Sequence, residues 1–342
     1  MTSPNAIGQF AQDLQKTYSD ALKKYRASPG IRGVDIGETS NGIHVRVHWA
    51  NSTDVIADVW NPQVTAPSDV ESDQIVTIIA DYRRDIERWS IWRRVLHVFD
   101  FLLPTSDPIG VRLPLRPGIS VGGEGISGGT LGMIVFDSAG RAYILSAAHV
   151  LSVRPSTKEP IGENPTTQPA RNGDNTVVIV GKEAKTVFDD GRIDAAISAI
   201  RDQLADGQAI TYCRRTLSDT PAKSAVIGPP GAAVIGRPVR KSGNASLVTT
   251  GKIDGIGHYF ADDDDHIGFD GFRITSTDGN KPSRRGDSGA IWYSTENSQG
   301  IGLHVAGDDT NASLACHLDV VFTELGVTAT PPVPPPKHLI DC

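Results

Sequence analysis

Cysteine is scarce in this chain of 342 residues: Cys213, Cys316 and Cys342 are all there are. An odd number cannot pair completely within one chain, and the spacing matches no zinc-ligand pattern. A disulfide-free fold in a reducing compartment is therefore expected, that is, a soluble cytoplasmic protein. Basic charge is not in surplus either. The net charge of −7 leaves no general means of neutralising phosphates, which argues against nucleic acid as a partner. No apolar run approaches the ~20 residues that span a bilayer. The opening residues Met1 to Phe10 lack the basic and apolar regions of a secretion signal. Nothing implies a cofactor: Gly228-Pro-Pro-Gly231 is turn chemistry rather than a phosphate cradle. Asp262, Asp263, Asp264 and Asp265 lack the alternation of a calcium loop and read as a solvated connection.

Glycine and proline, by contrast, are plentiful, at 35 and 22 residues, as many short strands joined by turns require. Residues 1–110 read as an α+β module. Ile7, Phe10, Leu14, Tyr18, Leu22 and Tyr25 recur at steps of three and four, one face of a helix that Pro29-Gly30 should end. Ile31 to Ala50 reads as a β-hairpin around Gly42. Ile75, Ile79, Tyr82, Ile86 and Trp89 suggest a second helix. Arg83, Arg84, Arg88, Arg93 and Arg94, interleaved with Asp81, Asp85 and Glu87, would lie on its solvated face. From residue 111 to 330 short apolar runs alternate with turns: Thr130 to Phe136, Ala142 to Ser146, Val177 to Val180, Ala232 to Ile235, Leu247 to Ile256, Gly271 to Ile274, Ala290 to Tyr293 and Gly302 to Ala306. That texture is mainly β, a sandwich or barrels. Residues 331–342 form a proline-rich tail, expected to be extended.

Three residues carry a candidate chemistry. In Gly286-Asp287-Ser288-Gly289 the glycines allow a tight turn that presents a serine and aims backbone amides at one point. His149 follows an apolar strand and two alanines in Ser146-Ala-Ala-His149, where an imidazole is unobstructed. Asp194, in Arg192-Ile-Asp-Ala-Ala-Ile, leads into another apolar segment, so its carboxylate can turn inward and fix the imidazole tautomer, while Asp189 and Asp190 sit in the polar turn. Nucleophile, base and orienting carboxylate thus occur in the order His, Asp, Ser, which differs from that of subtilisin and the α/β-hydrolases.

These segments resemble the histidine, aspartate and serine boxes of trypsin-like, chymotrypsin-fold serine peptidases, and Gly302-Leu-His-Val-Ala-Gly307 resembles the strand that walls their specificity pocket. More narrowly, Arg116-Pro-Gly-Ile-Ser-Val-Gly-Gly, Gly129-Thr-Leu-Gly132, Lys241-Ser-Gly243, Thr249-Thr-Gly251 and Leu318 to Val327 resemble a bacterial and plant group that includes the plant narrow-leaf protein. The resemblance covers about residues 111 to 328. It implies two antiparallel six-stranded β-barrels, with His149 and Asp194 on the first and Ser288 on the second. It implies an oxyanion hole from the N–H groups of Gly286 and Ser288, and a protein or peptide substrate cut through an acyl-enzyme. His304 stands where glutamate-specific and picornavirus-type peptidases carry a pocket histidine, so a preference for Glu or Gln before the scissile bond is expected, with Ser283 as a further pocket residue. The family's disulfides have no counterparts here. Two other functions stay open: a catalytically silent module that binds a partner peptide, and a signal-activated effector protease of bacterial stress or phage defence, in which the N-terminal module binds a regulator.

Overall fold

The computed structural model describes residues 4–25, 31–39, 42–49, 75–79, 83–84, 111–126, 128–153, 160–171, 176–189, 193–218, 223–260, 268–307 and 311–342. Helix α1 (Pro4–Tyr25) buries Leu14, Ala21 and Tyr25 and half-buries Tyr18 and Leu22, as its apolar spacing predicts. It lies over a hairpin of β1 (Ile31–Thr39) and β2 (Gly42–Trp49), in which Val34 faces Val47 and Ile36 faces Val45. Where the second expected helix is described, at residues 75–79 and 83–84, the chain is strand, while Tyr82, Ile86, Asp81, Asp85 and Glu87 lie outside the described residues. β3 (Ile75–Ile79) runs parallel to β2. Its five residues, Ile-Val-Thr-Ile-Ile, are all β-branched, and their stiff χ1 rotamers favour a pleated strand over a helix. β4 (Arg83–Arg84) is a two-residue strand rather than part of a helix face. Arg88, Trp89, Arg93 and Arg94 lie outside the described residues, as do Asp262 to Asp265.

A first sheet contains β5 (Ser120–Gly123), β6 (Gly129–Thr130), β7 (Met133–Phe136), β8 (Ala142–Ser146), β9 (Pro165–Gln168), β10 (Val178–Asp189) and β11 (Ile193–Ile200), in the spatial order 6-5-9-10-11-8-7. It curls on itself. The Leu131 N–H donates to Ile119 and the Gly132 N–H to Leu145, both at 2.9 Å, so the bent segment 129–136 ties β5 to β8. Inside lie Val121, Ile134, Phe136, Ile144, Val180 and Ala196, with the one-turn helix α2 (Ala148–Leu151) at one end.

The second sheet adds β12 (Gly228–Pro230), β13 (Pro238–Gly243), β14 (Leu247–Phe260), β15 (Gly268–Ser276), β16 (Ile291–Ser294), β17 (Gln299–Gly307) and β18 (Ala312–His317). The path β13-β16-β17-β18-β15-β14 closes through β13–β14 pairing, giving a six-stranded antiparallel barrel. Each of the six strands places a residue in one cluster: Val239, Ile253, Phe272, Trp292, Ile301 and Ala315. This is the barrel interior. The alternate residues Ile291, Tyr293, Leu303, Val305 and Leu314 face the other way and pack with Met133, Leu145 and Ile193 of the first sheet. Period-two alternation thus fills one barrel and glues it to the other. Helix α3 (Leu318–Leu325) adds Leu318, Val321, Phe322 and Leu325 to that seam and ends at the left-handed Gly326. Ala232 to Ile235, expected as a strand, is coil in which Val234 is exposed; the strand, β12, comes just before it. Among the described residues no helix is long and apolar enough to cross a membrane.

β14 is longer than the barrel needs. Its first half pairs with β13 and its second half with β1, from Gly33 opposite Tyr259 to Gly37 opposite Gly255. The N-terminal hairpin therefore shares a sheet with the second barrel; a module boundary at residue 110 remains a proposal that rests on the change of composition. Under this junction lies an ion cluster. Asp35 binds Arg46 in a two-pronged pair at 2.6 and 2.7 Å and accepts from Tyr259 Oη at 2.6 Å. Arg46 reaches on to Asp254, which also pairs with Arg273. Burial works to raise the Asp35 carboxyl, but His48 and Arg46 outweigh it and hold the group well below the usual carboxylate range.

The cysteine expectation fails at one place. Cys213 and Cys342 form a disulfide with Cα atoms 6.2 Å apart, while Cys316 is buried and outside this disulfide. The tail is not loose: the Tyr212 N–H donates to His338 and the Ile340 N–H to Tyr212, both at 3.0 Å, which returns Cys342 to Cys213 across 129 residues. The argument from unpaired cysteine to a reducing compartment falls with this pair.

Removing one partner of a fully buried ion pair costs about 3–5 kcal/mol, whereas replacing both by apolar groups is far milder. Arg46→Met should therefore destabilise the protein by that amount in chemical denaturation, and Asp35→Leu with Arg46→Met should recover most of it.

Candidate active site

β8 and β11 are neighbours, with Ser146 opposite Ala196. Asp194 lies two residues before Ala196 and His149 three after Ser146, so both come to the same end of the pair. Ala147 is extended, and α2 then turns the imidazole inward; Ala147 and Ala148 are fully buried, and a larger side chain would not fit. Asp194 Oδ2 lies 2.5 Å from His149 Nδ1, and its Oδ1 accepts the His149 backbone N–H at 3.1 Å. An ionised carboxylate only accepts, so Nδ1 carries the proton and Nε2 keeps its lone pair. Nε2 is buried with no described partner. It is positioned to take a proton.

Ser288 enters from the second barrel on a turn that the first barrel holds. The Thr130 N–H donates to the Ser288 carbonyl at 2.8 Å, and Thr130 Oγ1 and Asn244 Nδ2 donate to the Gly286 carbonyl at 2.8 and 3.2 Å. With both carbonyls engaged there, the N–H groups of Gly286 and Ser288 donate to no described group, though both residues are buried. Two buried, unspent amides two residues apart are an anion site in search of an anion. Gly286 and Gly289 have φ of +104° and +92°, which L side chains rarely adopt. A Cβ on Gly289 would also strike Ser146 Oγ and the Thr130 carbonyl. Ser288 Oγ itself donates to the Val305 carbonyl at 3.1 Å and not to His149.

The residue between glycine and serine is anchored by a partner that the sequence did not reveal. Asp287 is fully buried and pairs with Lys241 Nζ at 2.7 Å; it also accepts backbone N–H groups of Arg284, Ala245 and Ser246 at 2.9–3.0 Å. Burial pushes its carboxyl up, but the Lys241 charge and these bonds prevail and hold it below its ordinary value. A lysine set among the strand residues of β13 was the available sign. Lys241 also sits over the ring of Trp292, 5.4 Å from its centroid.

His304 is fully buried in β17, and Trp292 Nε1 points at its Nδ1 at 3.4 Å. An indole N–H only donates, so Nδ1 is the acceptor in this contact. Ser283 is buried as well and accepts from Ser313 Oγ at 2.8 Å.

A curled half-barrel and a closed six-stranded barrel meet here, the imidazole on the first and the serine turn on the second. The architecture is chymotrypsin-like. No protein-family model and no curated protein matches the sequence. Solved structures that resemble the chain include a glutamic acid-specific serine protease described as using a histidine triad in substrate binding. It is 20% identical, with 63% of this chain and 99% of that chain covered and a TM-score of 0.45. A Nocardiopsis protease is 16% identical over 63% and 97% of the two chains, with a TM-score of 0.44. A Cellulomonas bogoriensis chymotrypsin is 15% identical over 64% and 99%, also at 0.44.

Lys241→Met leaves the Asp287 carboxylate buried and unpaired, a loss of about 3–5 kcal/mol near neutral pH. The sign with pH follows from the shifts. In the wild type the depressed Asp287 contributes stability above the ordinary carboxylate value of about 4, and that contribution is lost as pH falls below it. In the variant the Lys241 charge no longer opposes burial, so the group rises relative to the wild type and acid relieves the penalty. Denaturant midpoints of the two proteins should converge as pH is lowered from 7 toward about 4.

Proposed function

We propose that the protein is a serine endopeptidase in which Ser288 is the nucleophile, His149 the base and Asp194 the residue that orients it. The observation that carries the reading is the pair of unspent amides at Gly286 and Ser288 beside a histidine whose Nδ1 is locked to Asp194. Attack of Ser288 Oγ on a peptide carbonyl sends its proton to His149 Nε2. The negative charge that develops on the carbonyl oxygen is met by the two N–H groups, already aimed and already dehydrated. The imidazolium is stabilised by Asp194 and returns the proton to the leaving amine; water then hydrolyses the ester by the same route.

One adjustment precedes this chemistry, since Ser288 Oγ is engaged by Val305. A peptide laid along β17 as an added strand brings a backbone N–H to that carbonyl. Ser288 Oγ then gains by turning to the open Nε2 of His149.

For the residue before the scissile bond we take Glu or Gln, on the strength of a histidine, His304, one residue before Val305 in β17, with Ser283 as a second polar side chain. A preference for Lys or Arg has no acidic residue in Lys281-Pro-Ser-Arg-Arg285 to support it.

A fluorophosphonate probe should label the wild type at Ser288 and leave Ser288→Ala unlabelled. Asp194→Asn should lower kcat by about 10⁴-fold through the wrong tautomer. An unlabelled wild type would overturn the assignment. In peptide-library profiling, His304→Phe should reduce kcat/KM for Glu or Gln substrates about tenfold to a hundredfold, the worth of one hydrogen bond to a charged group at ~1.5–3 kcal/mol. Equal loss on all substrates would place His304 in packing rather than selection.

A further inference from the structure

The backbone of β17 changes partners within four residues. At His304 it serves the serine turn: the His304 N–H donates to Ala290 at 2.8 Å, and its carbonyl accepts from the Gly289 N–H at 2.9 Å. The Val305 carbonyl takes Ser288 Oγ. Ala306 and Gly307 then pair with Arg84 and Arg83 of β4, antiparallel. β18 lies along the other side of β17, as far as Gly307.

A peptide substrate needs the stretch that β4 holds. On the proposed function it lies antiparallel to β17 and gives a backbone N–H to the Val305 carbonyl. Direction fixes the rest: the residues that precede that N–H in the peptide come opposite Ala306 and then Gly307. With β18 on one side, a single edge is left there, and β4 has it. A bonded pair in an antiparallel ladder exchanges both N–H···O contacts. Backbone groups given to β4 are therefore withheld from a second strand.

We propose that β4 is a built-in competitor for the substrate edge, whose backbone stands in for the N-terminal side of an extended substrate and must be displaced before one is cut. The inference rests on the peptidase reading above and names how access to that site is regulated. Tethering makes β4 effective. β3 ends at Ile79 and β4 begins at Arg83; β3 pairs with β2, β2 with β1, and β1 with β14 of the barrel that carries the serine turn. An incoming peptide thus competes with an intramolecular strand, at an effective concentration on the order of millimolar. Shortness makes β4 displaceable. It has two residues, and bonded pairs alternate with non-bonded ones, so it brings one bonded pair. An extended peptide brings that pair and the bond to Val305 as well. A substrate that stops at Val305 neither meets β4 nor gains from its removal.

The test compares full-length wild type with the double variant Arg83→Pro and Arg84→Pro, in which neither β4 residue has a ladder N–H to give. Each protein is labelled with a fluorophosphonate and assayed on an extended peptide chosen by library profiling and on a single-residue ester of the residue before its scissile bond. For the extended peptide KM should fall about tenfold in the variant, with kcat within twofold; ester hydrolysis should stay within twofold. No gain on the peptide, or an equal gain on the ester, overturns the inference. Hydrogen exchange supplies a second measurement that leaves β4 unaltered. When the same peptide binds Ser288→Ala, the amides of residues 83–84 should exchange at least tenfold faster while those of Ala306 and Gly307 stay protected. Unchanged exchange at 83–84 with the peptide bound overturns the inference even if the double variant fails to fold. Proteins that label at Ser288 but show neither effect overturn this inference alone; proteins that neither label nor hydrolyse either substrate overturn the peptidase reading, and this inference with it.

Discussion

A carboxylate and an ammonium, both fully buried, hold the turn on which the site depends. Taking Asp287 and Lys241 out of water is expensive, and their mutual attraction offsets the cost only when the remaining lone pairs are satisfied as well. Here they are: the Asp287 carboxylate takes three backbone N–H groups besides Lys241. Such a pair is weak evidence for stability but strong evidence for a fixed shape. Asp287 is pinned and the Gly286 and Ser288 carbonyls are held by Thr130 and Asn244, so the turn is tied at several points, while its two N–H groups donate to no described group. Rigid dipoles that need not reorganise when charge appears are what a developing oxyanion requires.

The same device recurs at the other end of the second barrel with a different effect. Asp35 and Arg46 come from the N-terminal hairpin, Asp254, Tyr259 and Arg273 from β14 and β15, and together they fasten a peripheral element to the barrel wall. Gly37 and Gly255 make room, since a Cβ on either would collide with the Arg46 guanidinium. A hydrophobic seam would bind as well but would tolerate slippage. A bidentate guanidinium–carboxylate pair fixes register, and register matters when a strand later in the same N-terminal segment must meet β17 at Ala306 and Gly307.

How much of this was legible in the sequence follows from how local each signal is. That His149 and Asp194 meet at the ends of neighbouring strands was legible, because each stands at the end of a short apolar run with small residues beside it. The helix α1 and its hairpin could be read because their apolar periods are unbroken. The partners of the site residues could not: Lys241 lies 46 positions from Asp287, and only the closure of β13 against β16 brings them together. The Cys213–Cys342 disulfide was hidden for the same reason, since nothing local says that a proline-rich tail returns to Tyr212. β3 was misread because Ile75 and Ile79 mimic one helical turn, although the β-branched run between them pointed to strand.

The Val305 carbonyl joins recognition to reactivity. While it accepts from Ser288 Oγ, the hydroxyl proton is committed to a weak base and the lone pair of His149 Nε2 has no proton to claim. On the proposed function, a backbone N–H from a strand laid antiparallel to β17 is a donor that can take its place, and peptide alignment and release of the hydroxyl are then one event.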